Sequence, residues 1–222
     1  NGANDEWEGD NFLKSEFNDV PVLPTNFVID FLTNNKPSDN SIFIISSKGD
    51  TVFSKLPGQL KAATQILDTV KLAEGSYYLM LNDSAGDGLE FWYQVNAGLG
   101  KLRLKDAKGN LLHLFESDCG NGQFFAFRTS KEAQADNSKE LFGVNLFPRM
   151  VKDNLTIFTS SNKAGTLKAR ITRDGEYIEQ HEFTNIKESA TELNLKHLPE
   201  GRYIMEIYMN GIHQVSRRFN KL

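Results

Sequence analysis

The sequence predicts an all-β protein made of two β-sandwiches, jelly-roll-like in the N-terminal half and immunoglobulin-like in the C-terminal half. Three observations lead there. Apolar runs of roughly 4–8 residues recur along the chain, many alternating with polar residues as half-buried strands do. Gly, Asn and Asp punctuate these runs at turn positions. A polar stretch without aromatic residues, TSKEAQADNSKE, divides the runs into two series.

In the first series, Phe27, Ile29 and Phe31 share one face of a strand. Ile42 to Ile45 is stopped at Lys48-Gly49-Asp50 and resumes at Thr51-Val52-Phe53, which predicts a hairpin over Gly49. Gln59 to Lys71 has helical length, but its β-branched residues and the preceding Pro57-Gly58 favour a loop running into a strand near Thr69–Leu72. Tyr77 to Leu81 is the next strand. Leu102 and Leu104 alternate with Arg103 and Lys105 ahead of a turn at Lys108-Gly109-Asn110. Leu111–Phe115 and Phe124–Phe127 complete the series.

In the second series, Leu155–Phe158 is one strand, and Leu167, Ala169 and Ile171 mark another that turns at Asp174-Gly175. Glu192–Leu195 follows. Tyr203, Met205 and Ile207 then alternate up to Asn210-Gly211, the strongest short hairpin signal, and His213 to Phe219 returns. About seven short strands in this block suit an immunoglobulin-type sandwich. The organisation expected is therefore 1–19 as a linker or the edge of an upstream domain, 20–130 as the first sandwich, 131–141 as a linker and 142–222 as the second sandwich. Both blocks contain a Gly before a Tyr-led strand, Gly75-Ser76-Tyr77 and Gly201-Arg202-Tyr203, which reads as a recurrent sandwich corner.

Composition excludes several classes. The net charge is −4 and no basic stripe appears, so nucleic acid is not an expected partner. No apolar run approaches the ~20 residues of a membrane span. The chain starts at Asn1 without a charged-then-apolar leader, as a mature product or a piece of a longer protein would. Cys119 is the only cysteine, and with Asp118 and Gly120 as neighbours it reads as an ordinary buried or half-buried thiol. His113, His181, His197 and His213 lack metal-ligand spacing, and no G-x-S-x-G elbow occurs. No catalytic residue is assigned, and the isolated chain is not expected to be an enzyme.

The most distinctive segment is Asp83-Ser84-Ala85-Gly86-Asp87-Gly88. Asp83 and Asp87 are candidate ligands for Ca²⁺, which takes six to eight oxygens, and the glycines let carbonyls turn inward. Asn82, Glu90 and Asp106 would add oxygens if the fold brought them close. The rhythm is not that of an EF-hand, and the alternative is a turn whose aspartates cap their own backbone amides. Glu90-Phe91-Trp92-Tyr93 follows, and as a strand it would set Phe91 and Tyr93 opposite Trp92. Trp92 and Tyr93 are candidate sugar-stacking residues, the plainer reading being sandwich core.

These residues carry a resemblance. The phrases Leu72-Ala73-Glu74-Gly75-Ser76-Tyr77, Asn82-Asp83-Ser84-Ala85-Gly86-Asp87-Gly88-Leu89, Gly98-Leu99-Gly100, Asp106-Ala107-Lys108-Gly109 and Phe124-Phe125-Ala126-Phe127 resemble a β-sandwich module of secreted Bacteroidetes proteins. That module accompanies catalytic domains, including peptide-N-glycosidase F-related proteins and secreted peptidases. Ser76 stands where many members carry cysteine, so that family's disulfide is absent. Leu146-Phe147-Pro148-Arg149-Met150, Leu155-Thr156-Ile157, Asp174-Gly175, Leu198-Pro199-Glu200-Gly201-Arg202-Tyr203 and Arg217-Arg218-Phe219 resemble the C-terminal sorting domain of the type IX secretion system. There Arg149-Met150 replaces an asparagine-proline step. The resemblance implies an extracytoplasmic, non-catalytic accessory region attached to an upstream hydrolase domain. Carbohydrate binding, a structural spacer with sorting function, and an enzyme in its own right all remain as readings.

Overall fold

A computed structural model describes residues 20–136 and 138–222. The chain is nearly all β. The first block is a sandwich of two sheets. One contains β1 (Val22–Pro24), β3 (Asn40–Ser46), β4 (Thr51–Lys55), β6 (Gly75–Asp83) and β9 (Gly122–Ser130), in the order β1-β9-β6-β3-β4. The other contains β2 (Asn26–Leu32), β5 (Gln65–Lys71), β7 (Lys101–Asp106) and β8 (Leu111–Leu114), in the order β5-β2-β7-β8. The period-2 alternation sends Phe27, Ile29, Phe31, Leu102 and Leu104 from one sheet against Ile42, Ile44, Leu79, Leu81, Phe125 and Phe127 from the other. Phe27 meets Phe127 edge-on with ring centroids 5.8 Å apart. The predicted hairpin over Gly49 is present, with φ +92° at that glycine. The segment around Gln59 is not an α-helix: one 3₁₀ turn, Pro57–Gln59, precedes β5, which starts several residues earlier than the sequence suggested.

The second block contains β10 (Phe142–Phe147), β11 (Met150–Val151), β12 (Asn154–Arg173), β13 (Glu176–Asn194), β14 (Gly201–Met209) and β15 (Ile212–Lys221). Here the sequence expectation needs correction. The runs at Leu155–Phe158 and Leu167–Ile171 are one strand of 20 residues, not two. Its first half pairs with β10 and its second with β14, while β13 follows it along its length. Register shifts between Ser160 and Gly165 and between Gly165 and Leu167 mark the change of partner, because a bulge bends a strand without ending it. The hairpins at Asp174-Gly175 and Asn210-Gly211 form as predicted. All four residues have positive φ, the requirement of the tight turn that matches strand twist.

The shared Gly-x-Tyr phrase is a tyrosine corner in both blocks. Tyr77 Oη donates to the Ala73 carbonyl at 3.1 Å, and Tyr203 Oη donates to the Pro199 carbonyl at 2.8 Å, each four residues upstream.

The second block packs on the outer face of the β5-β2-β7-β8 sheet. On that face Asp30 is 1% exposed. Its carboxylate pairs with Arg103 at 2.7 Å and Lys105 at 2.9 Å, and both cations reach Glu188 of β13 at 3.5 and 3.2 Å. Arg103 also donates to Ser160 Oγ, and the Lys101 ammonium lies 4.2 Å from the Phe158 ring centroid. Burial alone would raise the Asp30 pKa, but hydrogen bonds from Gln65 and Lys105 and the charges of Arg103 and Lys105 bring it below the ordinary value.

Candidate functional site

β6 ends at Asp83, and that carboxylate organises the loop after it. Asp83 Oδ1 accepts the amides of Gly86 at 2.6 Å and Asp87 at 3.3 Å, and Oδ2 accepts Asn40 Nδ2 at 2.5 Å. This is the self-capped turn that sequence reasoning weighed against a cation site. Burial first, and then the neighbouring Asp87 charge, raise the Asp83 pKa. Gly88 has φ +68°, and a Cβ there would lie 2.8 Å from the Cys119 amide nitrogen and 2.9 Å from the Ser117 carbonyl oxygen, so glycine is required.

Asp87 is also buried, and its Oδ2 pairs with Lys36 Nζ at 3.2 Å. Lys36 donates in addition to Gln94 Oε1. The other proposed oxygen donors are engaged elsewhere. Both oxygens of Asp106 serve its own turn, through the amides of Lys108 and Asn110 and the Asn110 side chain. Glu90 is taken by Arg149. Asp87 Oδ1 and Asn40 Oδ1 are buried without a protein hydrogen-bond partner. Among the described residues, no three His, Cys, Asp or Glu side chains are arranged to hold a metal.

Glu90–Tyr93 is not a strand, which corrects the alternating reading of its side chains. Leu89 is fully buried, the amides of Leu89 and Glu90 both donate to the Ser117 carbonyl, and Gly100 N–H donates back to Leu89 O at 2.7 Å. These bonds spend the backbone groups on a loop instead of a ladder. A 3₁₀ turn at Val95–Ala97 follows. The loop turns both candidate rings outward: Trp92 is 41% exposed and Tyr93 66% exposed. They meet edge-on at 5.6 Å. Tyr93 lines a cleft of about 350 Å³ with Lys36, Gln94 and Asn96.

Arg149 is a partner here that no local motif points to. It follows the cis Phe147–Pro148 bond and lies just before β11. Its Nε donates to Glu90 Oε1 at 3.0 Å and its Nη2 to Glu90 Oε2 at 2.9 Å and Asp118 Oδ2 at 2.7 Å. Glu90 is 3% exposed; burial raises its pKa, and Arg149 opposes that rise.

The histidines lie apart from this loop. His113 is half-buried, stacks on Phe125 with ring centroids 3.7 Å apart and has its pKa lowered to about 4 by desolvation. It lines a larger cleft, about 560 Å³, with Val22, Leu112, Glu132 and Leu141. His181 and His197 share Glu179, at 3.0 and 2.7 Å, with both imidazoles pointing at the carboxylate. Burial would raise the Glu179 pKa, but these two bonds lower it on balance. Cys119 is half-buried, and burial raises its pKa. Among the described residues, no helix is long and apolar enough to cross a membrane.

No family model and no curated protein matches this chain. Among solved structures it is similar to dimeric latent PorU from Porphyromonas gingivalis, with 13% identity over 94% of this chain and 19% of that one, TM-score 0.43. It is also similar to a β-glucuronidase from Faecalibacterium prausnitzii, with 10% identity over 90% of this chain and 36% of that one, TM-score 0.31. The chain thus spans about a fifth and about a third of those proteins. Similarity at this level assigns neither family nor function.

Proposed function

We propose that this chain is a non-catalytic, carbohydrate-binding accessory region of a larger extracytoplasmic hydrolase. The observation that carries the reading is the exposure of Trp92 and Tyr93 side by side, with Tyr93 lining a cleft beside the Gln94 and Asn96 amides and the Lys36 ammonium. Aromatic faces suit the apolar faces of pyranose rings, and amides suit their hydroxyls. The braced backbone from Leu89 to Gly100 fixes the rings before ligand arrives, which lowers the ordering cost of binding. The resemblance of the Asp83–Leu89 phrase to accessory modules of secreted hydrolases supports the same reading, including an upstream catalytic domain in the same polypeptide.

Titration calorimetry of the chain with cellohexaose, chitohexaose and xylohexaose tests it. At least one is expected to bind, and Trp92→Ala and Tyr93→Ala are each expected to weaken binding by about tenfold, or about 1.4 kcal/mol. Absence of binding to all three, or binding indifferent to both substitutions, overturns it.

A second reading is a structural spacer with a sorting-type C-terminal block. The ionic packing of Arg103 and Lys105 against Glu188 favours it, because it joins the two blocks without requiring a ligand. Removing residues 142–222 then alters localisation and stability.

A further inference from the structure

The loop that presents Trp92 and Tyr93 is braced from two directions. Its own block supplies backbone bonds: the Ser117 carbonyl holds the amides of Leu89 and Glu90, and Asn35 donates through its backbone and side chain to the carbonyls of Ala97 and Asn96. The Glu90 side chain is different. It is nearly inaccessible, and both of the donors that its carboxylate receives belong to Arg149, in the other block.

The pair has the geometry of a strong one. Two parallel N–H···O bonds to a buried carboxylate exploit the planar fork of a guanidinium, which the single ammonium of lysine cannot reproduce. The same Nη2 reaches Asp118, the neighbour of Ser117. Arg149 therefore grips the loop at Glu90 and at the segment whose carbonyl holds it. Arg149 is itself anchored, since its carbonyl accepts the Asn220 amide at 2.7 Å, and the residue after it, Met150, pairs with β15. A connected path runs from the last strand through Arg149 and Glu90 to Trp92, two residues further along. Arg217 provides a contrast: it also crosses between the blocks, but to Glu116, whose side chain is mostly exposed. Exposed pairs of that kind contribute little.

We propose that Arg149 is a positioning residue through which the C-terminal block sets the conformation of the Trp92–Tyr93 loop. Resting on the carbohydrate reading, it also sets the affinity of that site. The two blocks thus act as one binding unit, and the second block regulates the surface displayed by the first.

The test uses the full chain with Trp7→Phe, which leaves Trp92 as its sole tryptophan. Emission, acrylamide quenching and thermal unfolding are measured for this parent and for Arg149→Gln, Arg149→Lys and Arg217→Gln. Arg149→Gln is expected to red-shift Trp92 and raise its quenching constant about twofold while the chain still unfolds cooperatively; Arg149→Lys, which keeps charge but loses the fork, falls between. Arg217→Gln matches the parent. Glu90→Gln, which keeps the shape but removes the charge, gives the same loosening and covers the case in which Arg149→Gln does not fold. If Trp92 is unchanged in both Arg149→Gln and Glu90→Gln, the proposal is overturned. Cellohexaose, chitohexaose and xylohexaose titrations separate the two layers. Loosening of the loop in a chain that binds none of them leaves Arg149 as its positioner and removes only the carbohydrate reading. Binding that is unaltered despite a loosened loop removes the regulatory role.

Discussion

Replacing Asp30 with asparagine should be among the most damaging near-isosteric changes in the chain. Asp30 is buried at the centre of the face where the two blocks meet, and Arg103 and Lys105 both point at it. Asparagine keeps the volume and an acceptor for Gln65 but removes the charge that compensates two largely buried cations. Breaking a buried ion pair by deleting one partner costs about 3–5 kcal/mol. Glu188 remains within 3.5 Å of Arg103 and 3.2 Å of Lys105, and its half-exposed carboxylate holds the cost near the lower end, about 3 kcal/mol. At about 2–4 °C per kcal/mol for a chain of this size, Tm falls by about 6–12 °C. Calorimetry and urea titration at pH 7 measure it. The pH dependence has a fixed sign: the folded pKa of Asp30 lies below the unfolded value, so its contribution is complete above about pH 4–5 and is lost as the pH falls through the depressed value. The gap between wild type and Asp30→Asn must therefore narrow on acidification. A loss under about 1 kcal/mol at pH 7, or a gap that persists in acid, refutes the view that this charge cluster holds the blocks together.

Two further outcomes are expected. Tyr203→Phe should cost about 1–1.5 kcal/mol by urea titration, and Tyr77→Phe less, because the Tyr203 bond is shorter and its ring is buried. Because Asp83 is filled by amide donors and Lys36 already lies beside Asp87, millimolar Ca²⁺ should move Tm by less than about 1 °C; a larger rise would show a cation site at Asp83 and Asp87.

Local chemistry was legible in the sequence wherever one residue type is forced. Asn210-Gly211 and Asp174-Gly175 announced their hairpins because few other pairs tolerate positive φ twice. The alternation of Phe27, Ile29 and Phe31 named the core face of β2 because strand side chains change sides at every step. The self-capped turn at Asp83 was also foreseen as one of two readings. Long-range pairing was not legible. Ser160 and Gly165 look like a loop between two strands, and it is β13, paired with both halves across the register shifts, that makes β12 continuous. Arg103 and Lys105 show only as the positions alternating with Leu102 and Leu104, and nothing local says that Glu188 will cover them. Phe91-Trp92-Tyr93 has strand composition, but the Ser117 carbonyl takes the amides at its entry and turns the segment into a loop. Arg149 was visible only as a departure from a pattern; its partner lies 59 positions away.

The last strand is stitched on both sides, antiparallel to β14 and parallel to β11, and the Leu222 amide closes on the Val151 carbonyl at 2.8 Å. Tension applied at Leu222 is thus carried along β15 as shear, across many hydrogen bonds at once. The Asn220 bond to Arg149 delivers part of that load to the guanidinium gripping Glu90. Tethering the chain by its carboxyl end would make the exposed indole at Trp92 a gauge of mechanical pull.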